Sequence, residues 1–152
     1  MEDNETLTIS QSNLTATSLA VGITDNATVT ITNDDSASVT ISDVSGNEDD
    51  DTITITATLN GDLPGGFSIN LNSADGSATL LDNDYLAIVD QTLVFAGTSG
   101  ETQTLDLSPV ADERLEGDET IVISQSGLSG TALPLTISDT ATVTLLLSLI
   151  HI

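Results

Sequence analysis

Apolar and small polar residues alternate with a period of two through most of this chain. Thr52 to Leu59 reads Thr-Ile-Thr-Ile-Thr-Ala-Thr-Leu, and Ala37–Ile41, Phe67–Leu71, Thr102–Leu107, Thr120–Ser124 and Ala141–Leu145 keep the same beat. Such a period sends alternate side chains to opposite faces of a strand, one face apolar and one wet. The residues that carry it are mostly Thr, Ile and Val, which suit strands, while helix formers such as Lys, Gln and Met are scarce. Ala87–Val89 with Thr92–Phe95 supplies a seventh candidate. Between the candidates stand turn signals: Ser45-Gly-Asn47, Asn60-Gly-Asp62, Pro64-Gly-Gly66, Asp75-Gly76, Gly97 to Gly100 and Ser126-Gly127. Seven short strands at this spacing predict an all-β fold, an immunoglobulin-like seven-strand antiparallel β-sandwich.

An internal repeat sets the expected boundaries. Glu2–Ile31 aligns without a gap onto Glu116–Leu145, and 16 of the 30 aligned positions are identical. Ile-Ser-Gln-Ser recurs at Ile9–Ser12 and Ile123–Ser126, and Ala-Thr-Val-Thr at Ala27–Thr30 and Ala141–Thr144. The offset is the length of one sandwich domain, so the chain reads as a cut from a tandem array. Residues 1–35 are expected to be the last two strands and linker of a preceding repeat, and residues 36–146 a near-complete repeat. A hairpin alone cannot bury a core, so the first segment should be mobile or find a surface to pair with. Residues 147–152 break the pattern set by the first copy and resemble a translated library adapter. The tail is therefore expected to be non-native, with a genuine apolar end to the last strand as the alternative.

Charge narrows the function. The 152 residues carry 24 acidic side chains against a single basic one, a net charge of −23, which excludes the phosphate-neutralising surface that nucleic acids or anionic membranes require. Cations are the natural partners, and bound divalent ions or high salt would relieve the self-repulsion. The chain has no cysteine and only one histidine, and it shows no Gly-x-Ser-x-Gly elbow. Nucleophile-and-base catalysis has nothing to stand on, and no enzyme is expected. No signal peptide and no apolar run long enough to span a bilayer is present.

The densest acidic stretch is Asp112-Glu-Arg-Leu-Glu-Gly-Asp-Glu119, with five carboxylates in eight residues. Carboxylates about 4 Å apart repel by about 1 kcal/mol in water and by several times that near a protein surface. Such a cluster is either spread into solvent or neutralised by a cation. Gly117 is expected to let the chain turn sharply so that Glu116 and Glu119 face one point. Asn47-Glu-Asp-Asp-Asp51 lacks the glycine and closing glutamate of an EF-hand and reads as an exposed turn, and Asp82 and Asn83 also read as turn formers.

In order along the chain, Asp75-Gly-Ser-Ala-Thr79, Asp84-Tyr85, Leu93-Val-Phe-Ala96, Gly100-Glu-Thr102, Asp112–Glu119 and Ala141-Thr-Val-Thr144 resemble the Calx-beta domain. The resemblance covers Ser36 to Leu146. It implies a sandwich that binds Ca2+ at one end, between loops, through Glu48, Asp84, Asp112, Glu116 and Glu119. Two positions depart from that pattern: Ala111 stands in place of an aspartate, and Leu147-Ser-Leu149 in place of a closing acidic triplet. In the first segment the triplet survives as Asn33-Asp34-Asp35, beside Glu2 and Glu5. The resulting expectation is a calcium-binding repeat of a large exported bacterial surface or adhesion protein, in which calcium bridges end loops and stiffens the joint between neighbouring repeats. Its adhesion ligand is unknown. The alternatives are a metal-independent acidic spacer and a calcium-sensing regulatory domain of a membrane protein.

Overall fold

The computed structural model describes residues 3–15, 18, 20–112, 114 and 116–146. The chain divides into two compact units, Met1–Asp35 and Ser36–Ile152. In the first, β1 (Glu5–Ser10) and β2 (Asn26–Ile31) form an antiparallel two-stranded sheet running from Glu5↔Ile31 to Ser10↔Asn26. Every residue of both strands is exposed.

The second unit holds β3 (Ala37–Ile41), β4 (Val44–Asn47), β5 (Ile53–Asn60), β6 (Phe67–Asp75), β7 (Gln91–Phe95), β8 (Thr102–Leu107), β9 (Glu119–Ser129), β10 (Leu135–Thr136) and β11 (Thr140–Leu146). One sheet has the order β10-β3-β5-β8 and the other β4-β11-β9-β6-β7. Among the described residues there is no helix. The period of two has the meaning expected of it. In β5 the odd positions Ile53, Ile55, Ala57 and Leu59 are buried, and Ile69, Leu71, Ile121, Ile123 and Val143 face them from the other sheet. Each large aliphatic side chain so buried contributes about 1.5–3 kcal/mol. Phe67 and Phe95 are cross-strand partners whose rings stack 4.9 Å apart, filling one place in the core.

The sandwich departs from a seven-strand, wholly antiparallel pattern at its edges. The first strand of the sandwich is split: β3 pairs with β5 in one sheet, while β4 crosses to the other and pairs in parallel with β11. The short β10 lies parallel to β3. The Ser45-Gly-Asn47 turn signal is therefore a strand. Gly46 is needed there because a Cβ would sit 2.6 Å from Ile53 Cγ1, so glycine marks a close crossing. Ser126-Gly127 likewise lies inside β9, at the place where its register against β6 shifts between Ser68 and Asn70. Gly127, with φ of 62°, belongs to a bulge rather than a turn. Ala87–Val89 is no strand. Ile88 accepts from the Ser73 N–H but donates to the Ser73 hydroxyl, so a side chain replaces the carbonyl that would have extended the ladder.

Candidate metal centre

Three inter-strand connections and two strand termini meet at one end of the sandwich. Glu48 lies between β4 and β5, Asp84 between β6 and β7, and Glu116 between β8 and β9, while Glu119 is the first residue of β9. With Gly117, Leu145 and Leu146 they line one cleft.

The segment after β6 explains how Asp84 comes to face Glu119. Gly76 packs so closely on β9 that a Cβ would strike the Thr120 carbonyl. The Ser77 N–H donates to Thr120 Oγ1 (3.3 Å), the Thr120 N–H to Ser77 Oγ (2.9 Å) and the Ala78 N–H to the Thr120 carbonyl (3.1 Å). The loop is thus fastened to the residue after Glu119. Asp75 organises the remainder of the loop, accepting the Tyr85 hydroxyl at 2.7 Å and the Leu80 N–H at 3.1 Å. Burial, and next that hydrogen bond to Asp75, push the Tyr85 phenol up to about 12, so it remains a donor at any physiological pH. Asn83, one of few side-chain-bearing residue types that tolerate the left-handed region, has φ of 68° and turns the chain into Asp84.

Asp84 is 7% exposed, the only buried charged residue among those described. Its Oδ2 accepts the Thr79 N–H at 2.6 Å, and its backbone binds Thr79 on one side and Val110 on the other. The Asp84–Val110 bond and the Tyr85↔Pro109 bridge hold the start of the acidic loop against it. From there Glu48 Oε1 accepts the Asp112 N–H at 2.9 Å, and the Glu48 N–H donates to the Leu146 carbonyl at 3.3 Å.

The structure places the residues singled out in the sequence unequally. Carboxylate oxygens of Asp84, Glu116 and Glu119 all lie within 4.8 Å of one another, the one group of at least three possible ligand residues among those described. Glu48 lines the same cleft outside that group. Asp112 is exposed and outside that group, and its Oδ1 accepts the Arg114 N–H at 2.6 Å. Gly117 does not have the positive φ that a sharp glycine turn uses, and a Cβ there would meet open space, so the expected role for it does not hold. Asp50 closes the Asn47 turn as expected, its Oδ2 accepting the Asn47 N–H. In the first unit Glu5 pairs with Ile31 as Glu119 pairs with Leu145. There the Asn33 N–H donates to Asn4 Oδ1 at 2.7 Å and the Asp35 N–H to Asn33 Oδ1 at 3.1 Å, which brings the end of β2 back beside the start of β1. Asp34 is exposed. Glu2, Glu113, Leu115 and the tail 147–152 lie outside the described residues.

Sequence reasoning passed over Arg114, the chain's one basic residue apart from its histidine. Its Nη1 lies 3.3 Å from Asp82 Oδ1 and its Nε 3.2 Å from Glu116 Oε1. Asp82 is therefore both the turn former it was expected to be, through Thr79, and an ion-pair partner. The signal available was that a lone cation sits inside the densest acidic run. Arg114 reaches one edge of the cluster only. Partial burial first, then the neighbouring Asp84, Glu116 and Asp82 charges, push the Glu119 carboxyl above its ordinary 4.5.

That shift has a stability consequence with a definite sign. A raised folded-state pKa means that folding takes up protons, so the contribution is complete below pH 4.5 and is lost as pH rises through the folded value. In chelator, the melting temperature should rise on mild acidification from neutral pH. Glu119→Gln should flatten part of that slope, and a slope equal to that of the parent protein would contradict the assignment.

The donor set is all oxygen, which suits a hard cation such as calcium rather than zinc. Two oxygens bonded to one calcium at about 2.4 Å can be at most about 4.8 Å apart, and the three carboxylates meet that limit without rearrangement. The residues present fit such an ion.

Fold and site together define an immunoglobulin-like sandwich with an acidic cleft at one end. The family model of the Calx-beta domain matches residues 32–147, and the chain belongs to that family. Solved structures agree in fold. The apo form of the Calx CBD1 domain is 19% identical with a TM-score of 0.62, over 75% of this chain and 99% of that one. The calcium binding domain CBD12 of CALX1.1 is 20% identical with a TM-score of 0.58, over 72% of this chain and 44% of that one. The Calx CBD2 domain is 10% identical with a TM-score of 0.55, over 71% and 86%. No curated protein sequence matches.

Proposed function

We propose that this chain is a calcium-binding repeat, its ion held by Asp84, Glu116 and Glu119 with Glu48 at the rim of the same cleft. One observation carries the reading: Asp84 from the β6–β7 connection is held against Glu116 and Glu119 of the stretch that leads into β9, with one guanidinium at their edge, an arrangement that costs free energy until a cation enters. A solved relative is named as a calcium binding domain, which is consistent with it. The likeness of the first unit to β9–β11 supports the further reading that this is a tandem array whose joints calcium stiffens. An exported adhesion or surface protein is the setting that suits such an array and so acidic a chain.

Calorimetric titration with calcium, and melting with calcium or with sodium chloride at matched ionic strength, test the proposal. Binding with a calcium-specific rise in melting temperature is expected. Equal stabilisation by both salts would instead make the chain a metal-independent spacer. Arg114 supplies a second check. Its guanidinium competes with calcium for Glu116, and Arg114→Gln should tighten binding by about threefold, a modest effect because the ion pair is half exposed.

A further inference from the structure

Asn60 and Gly61 are the chain's one Asn-Gly pair, and they stand where β5 ends. Asparagine followed by glycine is the pair at which a backbone most readily attacks its own side chain, because no Cβ on the second residue hinders the approach to its nitrogen. The reaction needs nothing but water. The Gly61 nitrogen bonds to the Asn60 side-chain carbonyl carbon and gives up its proton, the Cγ–Nδ2 bond breaks, and Nδ2 leaves with a proton as ammonia. Water then opens the five-membered imide on either side, which leaves aspartate or isoaspartate at position 60.

The fold keeps the two reacting groups occupied and apart. Asn60 Nδ2 donates to Thr40 Oγ1 at 3.1 Å and to the Thr58 carbonyl at 3.5 Å, so the carboxamide lies back over β5 and β3, away from the residue that follows it. The Gly61 N–H donates to Ser99 Oγ at 3.1 Å. Gly61, with φ of 87°, lies so close to the start of the second unit that a Cβ would strike the Ser36 carbonyl. Asn60 is exposed and within reach of water, but it pairs with Ser38 at the end of the β3–β5 ladder, and these bonds must open before its side chain can turn to Gly61.

We infer that Asn60-Gly61 is a self-modification site, an amide that hydrolyses through its own backbone, and that the fold gates it. The pair reacts when the end of β5 lifts from β3 and is held off while Thr40 and Ser99 keep their partners. The change is one-way. Either product carries a carboxylate with no N–H to give the Thr58 carbonyl, and isoaspartate also inserts a carbon into the backbone at the Asn60↔Ser38 pair. A domain that has opened is thereby marked covalently, and the end of its strand no longer closes as before. The inference uses no metal ligand and stands apart from the calcium reading.

The test compares the whole protein, folded in mildly alkaline buffer, with the same protein in urea, by ammonia release and by mass mapping of the peptide that contains position 60. Conversion in urea should be at least about tenfold faster than in the folded protein, because only opened chains react. Thr40→Val keeps a β-branched side chain on the exposed face of β3 but removes the acceptor. It should speed conversion of the folded protein by about three- to tenfold and leave the rate in urea unchanged. Thr104→Val makes the same exchange at an exposed position of β8 and should change neither rate. Equal rates in the folded protein and in urea, or no conversion in urea, overturn the inference. A folded Thr40→Val protein that converts no faster than Thr104→Val removes Thr40 as the guard and overturns it as well.

Discussion

Replacing Glu116 and Glu119 together by glutamine should eliminate the calcium-induced rise in melting temperature, the largest functional effect expected for any pair of residues in this chain. The two side chains supply most of the clustered charge, and their loss leaves only Asp84 of the group, with Glu48 at the rim, in a cleft that calcium would have to enter by shedding water. Calcium at one hundred times its dissociation constant would stabilise the parent protein by about 2.7 kcal/mol. For a unit of this size that is a rise of about 10 °C, all of which the double variant should lose. In chelator the double variant should be at least as stable as the parent, since repulsion of about 1 kcal/mol or more is relieved. Asp49→Asn alters charge on the exposed turn beside Glu48 and should keep the calcium response. Thermal melts of the three proteins with calcium and with chelator check the prediction. A full calcium shift in the double variant would remove Glu116 and Glu119 from the site.

Gly76→Val should destabilise the second unit by about 2–3 kcal/mol, because the new side chain meets the Thr120 backbone and neither strand β9 nor the loop can yield without breaking bonds. The damage should be coupled to the site. The Ser77–Thr120 exchange of hydrogen bonds fixes where β9 begins, and hence where Glu119 lies relative to Asp84. Urea unfolding should show the lost stability, and titration under folding conditions should show weaker calcium binding. Gly117→Ala, at a glycine with open space beside it, should change neither. Wild-type stability in Gly76→Val would mean that the loop after β6 is not seated on β9.

The strands inside the sandwich were legible because their period of two is written in residues with one job, such as Ile53, Ile55, Ala57 and Leu59 on the buried side of β5. The edges were not. Glycine at Gly46 and Gly127 signals any close backbone approach, and nothing local separates a turn from a crossing or a bulge. At the acidic end, the density of carboxylates pointed to the stretch that holds Glu116 and Glu119, the resemblance to the Calx-beta domain implied Glu48 and Asp84 beside them, and folding brings the four to one cleft. The wiring could not be read. Asp75, Ser77 and Thr120 hold the cleft together through partners up to 43 residues away, and Asp112 stands outside the group, its Oδ1 accepting the Arg114 N–H of its own loop. Long-range hydrogen bonds leave no periodic trace in a sequence.

The parallel pairing of β4 with β11 gives the domain a mechanical character. The chain enters the second unit through β3 and β4 and leaves it through β11, so pulling the two ends apart drives these neighbouring parallel strands in opposite directions along their length. The four pairs from Val44↔Val143 to Asn47↔Leu146 then bear load together in shear, instead of opening one after another as the pairs of a hairpin do when its ends are pulled. The last of them adjoins Glu48, whose N–H binds Leu146 and whose carboxylate holds the acidic loop. An ion in that cleft would sit at the end of the load path and would add its own bonds to those that resist the pull.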